Sequence, residues 1–166
     1  MKILLFLFIS VFSFKTSPVV EEVRNQFPEI SSEEQADNFI EQLTKDASAE
    51  AKSYIAAMNF MKSRFVKNPF TKLKYFKIGK KELDAVILNN PKNIEMRYIR
   101  YLMQKQIPGF LNYSDNIEED FKLLSTQLVE SNYNNTFKLK IINNMLLVSN
   151  LTDNEKEILT KLETNI

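Results

Sequence analysis

Apolar side chains recur every three or four residues along most of this chain, which is the spacing of one face of an α-helix. Asn-Pro, Pro-Gly and Asn-rich breaks divide the pattern into segments of helical length. No segment alternates apolar and polar residues with β-branched enrichment, so we predict no sheet. The predicted helices cover about residues 31–43, 48–65, 70–89, 93–106, 115–130, 136–149 and 152–162.

Capping residues support the ends of these helices. Ser31 with Glu34, and Thr152 with Glu155, have the spacing of a capping box. Asp115 is a further cap signal, at the start of the fifth helix. The first, fifth and last helices therefore have chemically defined N-termini.

The connections between the predicted helices are short, which favours antiparallel hairpins. The clearest pair is 70–89 with 93–106, and the second member is apolar on two sides, as expected of a helix between neighbours. Gly79 lies inside the first member, where glycine costs about 1 kcal/mol relative to alanine. It indicates either a kink or a close approach of another helix. The chain is therefore predicted to be all-α, with about six or seven helices in antiparallel hairpins and no sheet.

Residues 85–95, AVILNNPKNIE, resemble the seam between two tetratricopeptide repeats, where one helix ends at Asn-Pro and the next begins after Asn. The resemblance covers about residues 70–106 and implies a TPR-like stack of hairpins, with an irregular bundle as the alternative. Within residues 68–113, NPFTKLKYFKIGKKELDAVI followed by NPKNIEMRYIRYLMQKQIPGFLNY resembles an uncharacterised family of exported helical proteins in bacteria. That resemblance implies a helical fold and no known activity.

The N-terminal segment has the pattern of a secretory signal peptide. Met1 and Lys2 form a short positive region, and residues 3–14 are apolar except for two serines. This run is shorter than the roughly 20 residues that a membrane-spanning helix needs. A buried N-terminal helix is the alternative interpretation.

A signal peptide over 1–17 implies export to the bacterial periplasm or the cell exterior, with no transmembrane segment after cleavage. Residues 18–30 contain two prolines and little periodicity, which indicates a flexible lead-in. Residues 31–166 are predicted to form a single helical domain.

The composition excludes several kinds of catalytic site. The chain contains no Cys and no His, which excludes thiol nucleophiles, disulfides, zinc sites built from those residues and His-centred acid–base chemistry. Its 2 Gly leave no glycine-rich phosphate loop. We therefore predict no cofactor, no metal site and no catalytic residue. An enzyme would have to rely on carboxylates, Lys, Tyr or Ser.

Charge is unevenly distributed, although the net charge is only +1. Residues 18–50 contain nine acidic and two basic residues, whereas residues 51–81 contain nine basic residues and no acid. The basic segment either binds an anionic partner or is compensated by the acidic first helix. Nucleic acid is not expected as a partner, because no recognition motif accompanies the charge.

Arg97, Arg100 and Gln104 form one stripe of the helix over 93–106. Two guanidinium groups on one face can bind a carboxylate or phosphate through paired hydrogen bonds. If the stripe opens onto a groove, other cationic and aromatic residues flank it. The candidate ligand-binding residues are Arg97, Arg100, Gln104, Lys80, Tyr75 and Tyr113. The alternative is an internal ion pair with a nearby acid, namely Glu82, Asp84 or Glu95.

Glu118, Glu119 and Asp120 provide carboxylates of the kind that glycosidases use. Consecutive residues of a helix do not face one another, so we interpret them as a solvated helix N-terminus that the helix dipole favours.

The function class that these features favour is a non-enzymatic, exported helical binding or scaffold domain for a protein or peptide partner. The alternatives are a carboxylate- or Lys-based hydrolase and a binder of an anionic envelope ligand. Two convergent carboxylates in a pocket would favour the enzyme. A shallow groove lined by Tyr, Phe and Arg would favour the binding domain.

Overall fold

A computed structural model describes residues 16–166 of the chain. This part contains eight α-helices, one turn of 3₁₀ helix at Gly109–Leu111 and no strand, which confirms the all-α fold without a sheet for the described residues. Residues 1–15 of the predicted signal peptide lie outside the described range. The helices are α1 Pro18–Gln26, α2 Glu33–Leu43, α3 Ala49–Phe65, α4 Pro69–Asn89, α5 Ile94–Gln106, α6 Ile117–Gln127, α7 Asn135–Leu146 and α8 Asp153–Glu163.

Side-chain caps begin most of these helices, because an Asn, Ser or Thr oxygen accepts a backbone N–H that has no partner within the helix. The capping box of Thr152 with Glu155 is confirmed at α8. At α2 the prediction is wrong by one residue, since Ser32 rather than Ser31 accepts the backbone N–H. At α6 the predicted cap is wrong, because the residue before the helix is Asn116 and it makes no side-chain cap.

The predicted flexible lead-in over 18–30 is wrong for residues 18–26, because Pro18–Gln26 is helical. Pro18 occupies the first helical position, where its missing N–H costs nothing because that group would be unpaired anyway. Val20 and Val23 lie one turn apart on the same face and are fully buried. Residues 16–166 therefore contain one helix more than the seven segments predicted.

The hydrophobic core surrounds α3 and α5. Helix α5 is buried along nearly its whole length and packs against α3, α4, α6 and α7. The prediction that a helix apolar on two sides lies between neighbours is confirmed. Tyr98 and Leu102 from α5 and Met58 from α3 are among the fully buried side chains.

The closest helical hairpin is α3 with α4, not the predicted pair of α4 with α5, because α4 packs most extensively against α3. Gly79 explains this approach. A Cβ atom on Gly79 would lie 2.8 Å from the backbone oxygen of Ala56 and 2.9 Å from the ring of Phe60. Gly79 thus marks a close helix approach, one of the two roles that its position in the sequence indicates.

We expect Gly79→Ala to lower the free energy of unfolding by about 1–3 kcal/mol, because the new methyl group would press on the backbone of α3. This loss outweighs the gain of up to about 1 kcal/mol in helix propensity. Urea denaturation followed by circular dichroism measures the difference. The matched control is Gly109→Ala, where nothing lies within 4 Å of the added Cβ. Equal stability of the two variants would contradict the close approach.

Candidate functional site

The arginine stripe of α5 binds an acidic residue of α6. Arg97 Nη1 lies 2.7 Å from Asp120 Oδ1, and Arg100 donates to both carboxylate oxygens of Asp120, from Nε at 2.7 Å and from Nη2 at 2.8 Å. Arg97 also donates to the backbone oxygen of Pro91 and to the carboxylate of Glu119. One carboxylate therefore joins both guanidinium groups.

The cluster of Arg97, Arg100 and Asp120 is buried and connects α5 to α6 inside the protein. Asp120 is 0% exposed, and each arginine is 6% exposed. Glu119 lies at the surface, where the hydrogen bond from Arg97 lowers its pKa. The interpretation of Asp120 as part of a solvated helix N-terminus is wrong, because its partners on α5 enclose it. An acid within reach of both arginines favours the structural role of the stripe over ligand binding.

The other candidate residues also have internal partners. Lys80 pairs with Asp84 at 2.7 Å, and its ammonium group lies 4.4 Å from the centre of the Tyr113 ring. Tyr113 is buried and donates to Asp84. Tyr75 donates to Glu33 of α2. The three acids that we proposed as partners of the stripe bind other residues: Asp84 binds Lys80 and Tyr113, Glu82 accepts from Asn59, and Glu95 accepts from Arg24.

Gln104, the last member of the stripe, is 3% exposed. Its Nε2 lies 3.4 Å from Asn116 Oδ1, and its Oε1 has no hydrogen-bond partner among residues 16–166. None of the six candidate residues lines either of the two surface hollows described below.

A second buried cluster joins α1 to the core. Glu95 of α5 is 0% exposed and accepts two hydrogen bonds of 2.6 Å from Arg24. The hydroxyls of Tyr54 and Tyr133 donate to the same carboxylate, at 2.8 Å and 3.4 Å. Burial raises the pKa of Tyr54 well above its usual value, so this hydroxyl stays protonated as a donor. Sequence analysis missed the pair, because Arg24 lies 71 residues from Glu95.

The wider hollow, of about 1140 Å³, lies between α1 and the connection from α2 to α3. Its carboxylates include Asp46 and Glu50. Asp46 accepts hydrogen bonds from Ser17 and Ser48, which lower its pKa, and Glu50 accepts from Asn93. These contacts keep Asp46 ionised and unsuited to donate a proton as a general acid. No three acidic side chains among residues 16–166 are grouped so that they could hold a metal ion.

A second hollow, the apolar groove, has a volume of about 610 Å³ and lies between the α3–α4 turn and the C-terminal end of α5 with its 3₁₀ turn. Among the described residues, Arg64 and Lys72 are the charged ones that line it, and no Asp or Glu does. Phe110 at its edge is 81% exposed. Its apolar lining comprises Phe60, Met61, Leu73, Phe76, Met103, Ile107, Phe110 and Leu111, together with Pro69 and Pro108.

The basic segment around the groove is compensated only in part. Lys62 pairs with Asp37 of the acidic helix α2 at 2.5 Å, and Lys80 pairs with Asp84. The remaining seven basic residues have no salt-bridge partner within residues 16–166: Lys52, Arg64, Lys67, Lys72, Lys74, Lys77 and Lys81. The sequence signal for this surface is the run of nine basic residues with no acid between 51 and 81.

No family model, curated protein or solved structure matches the chain. Its function must therefore be argued from the geometry of its own residues. No helix within residues 16–166 is both long and apolar enough to cross a membrane.

Proposed function

We propose that this chain is a non-enzymatic binding domain, exported from the cell, whose apolar groove receives a segment of a protein or peptide partner. The observation that carries the proposal is the groove itself, which combines an apolar floor with a cationic edge. The predicted signal peptide over 1–17 supports the exported location, in the periplasm or outside the cell.

The groove has the size and chemistry of a binding site. Its volume of about 610 Å³ lies within the range of about 300–1,000 Å³ that is typical of ligand pockets. Apolar side chains at its edge are exposed to water, and a partner that covers them would gain the favourable free energy of removing them from water. Phe110 and Leu73 are such side chains, and Phe70 is exposed at the start of the same helix as Leu73. A bound segment would cover this surface.

A binding role fits the chemistry better than hydrolysis. Two buried carboxylates, Asp120 and Glu95, are held by arginines, and the hydrogen-bonded Asp46 has a lowered pKa. The groove contains no acid to act as a nucleophile or general base. The short connections between the helices of this chain agree with the TPR-like arrangement that residues 85–95 resemble. We retain that arrangement as part of the proposal.

A library of random peptides displayed on phage tests this function with the full chain as the target. We expect selected peptides to lose at least about tenfold in affinity to Phe110→Ser, because burying a side chain of this size contributes about 1.5–3 kcal/mol. The loss in Leu73→Ser should be smaller, about two- to sixfold, because Leu73 is 36% exposed before a peptide binds. Phe110 is 81% exposed, so Phe110→Ser should change stability by less than about 0.5 kcal/mol. Leu73 is 36% exposed, so Leu73→Ser should lower the free energy of unfolding by up to about 2 kcal/mol, which is less than the stability typical of a domain.

Leu147→Ser is the matched control for these two variants. Leu147 is 78% exposed but does not line the groove, so its replacement should leave peptide affinity unchanged. The proposal is wrong if no peptide is enriched, or if the selected peptides bind the Leu73 and Phe110 variants as tightly as the wild type.

A further inference from the structure

We infer that the partner segment is acidic and amphipathic, with apolar side chains at helical spacing and Asp or Glu beside them. This inference rests on the function proposed above and specifies the chemistry of the partner at the same groove.

The charges around the groove favour an acidic partner. Arg64 and Lys72 line the groove, Lys67 lies in the turn between them, and Lys74 follows on the first turns of α4. Each of these side chains is exposed and has no salt-bridge partner among residues 16–166. An apolar segment that carried Lys or Arg would bring like charges together on entering the groove, whereas Asp or Glu would pair with Arg64 and Lys72.

Residues 1–15 do not provide the missing anions, because their charged residues are Lys2 and Lys15 and they contain no acid. As an occupant of the groove, this segment would add positive charge to a surface that is already cationic. A separate partner with negative side chains is therefore favoured over the N-terminal segment of the chain itself.

The open shape of the groove favours an amphipathic partner. Phe110 is 81% exposed at one side and Leu73 lies at the surface on the other, so an occupant would be covered on one face only. An amphipathic helix suits this shape, because its apolar stripe enters the groove while its polar face stays in water. A fatty acyl chain has no polar face, so its outward side would remain unfavourably exposed to water. The shape thus favours a peptide over a lipid.

The selected peptides of the display experiment test the inference directly. We expect them to be enriched in Asp and Glu and depleted in Lys and Arg relative to the unselected library. In a fluorescence titration with the full chain, a selected peptide should bind about five- to tenfold more weakly to the double variant Arg64→Gln, Lys72→Gln. Its affinity for the wild type should also fall with added salt, because the charges lie at the surface.

The control is the double variant Lys52→Gln, Lys122→Gln, which changes the net charge by the same amount. Both lysines are exposed, neither lines the groove, and Lys52 lies 12 residues before Arg64, about 18 Å along α3. We expect this variant to bind the peptide within about twofold of the wild type. An equal loss in both double variants would overturn the inference, because it would show an effect of overall charge and not of the groove.

The remaining outcomes separate the inference from the proposed function. Groove-dependent peptides without acidic enrichment would overturn the inference and leave the proposed function intact. An absence of groove-dependent peptides would overturn both. Dodecanoate and vesicles of phosphatidylglycerol are the lipid probes. Binding of either, lost in Phe110→Ser while peptides do not bind, would assign the groove to a lipid and overturn the inference.

Discussion

Replacing Asp120 with asparagine is expected to lower the free energy of unfolding by about 3–5 kcal/mol, the usual cost of removing one partner from a buried ion cluster. The variant keeps the size of the side chain but removes the negative charge that Arg97 and Arg100 share. Both guanidinium groups would then stay in a site that water scarcely reaches. Guanidinium chloride denaturation followed by circular dichroism measures the loss.

Glu119→Gln is the control for this prediction. Glu119 binds the same Arg97 at 2.9 Å, but its side chain is 59% exposed. Exposed ion pairs contribute about 0–1 kcal/mol, so this variant should stay close to the wild type. If Asp120→Asn unfolds at the same denaturant concentration as Glu119→Gln, the cluster does not hold α5 against α6. In that case the arginines would again be candidates for ligand binding.

The helix positions could be predicted from the sequence because local chemistry sets them. Ser48 and Thr152 accept the first free N–H groups of the helices that follow, and proline ends or begins helices at fixed places. Apolar spacing then identifies the buried side of each helix. Helix α1 is absent from the sequence prediction because its two nearby prolines and short length resemble an irregular segment. The position of Pro18 immediately before Val19 and Val20 is compatible with a helix start.

The partners of buried charges could not be predicted in the same way. Glu118, Glu119 and Asp120 are consecutive and chemically alike, yet only Asp120 is buried, because helix α6 turns that position towards α5. Its arginines lie 20 and 23 residues away in the chain. Periodicity describes one helix at a time, so it does not identify a contact between two helices.

The apolar groove illustrates the same difficulty for a surface. Its lining comes from residues 60–76 and 103–111, which the fold brings together. Each segment alone looks like part of an ordinary amphipathic helix or turn. The sequence does indicate an excess of basic residues between 51 and 81. Within residues 1–81, acids that could balance this charge occur only before residue 51. In the structure, Arg64 and Lys72 from this basic segment lie beside a groove at which Leu73 and Phe110 are the exposed large apolar side chains of the described residues.

Glu95→Gln should also destabilise the chain by about 3–5 kcal/mol, with an effect concentrated at the N-terminal helix. Glu95 is fully buried, and its carboxylate holds Arg24 of α1 through two hydrogen bonds. A neutral amide can still accept from Tyr54, but it leaves the buried guanidinium with the half-exposed Glu21 as its remaining counter-charge. Amide hydrogen exchange should therefore show loss of protection in α1 at denaturant concentrations where α3 and α5 remain protected.

Two further variants decide whether the buried pair is responsible. Glu21→Gln removes the other acid that contacts Arg24, but that side chain is 51% exposed, so the loss should be at most about 1 kcal/mol. Combining Arg24→Met with Glu95→Gln removes the buried guanidinium as well as the carboxylate. The double variant should therefore be more stable than the sum of the two single losses predicts, because the two side chains are directly coupled. Additive losses, or normal protection of α1 in Glu95→Gln, would show that packing of Val20 and Val23 alone holds this helix in place.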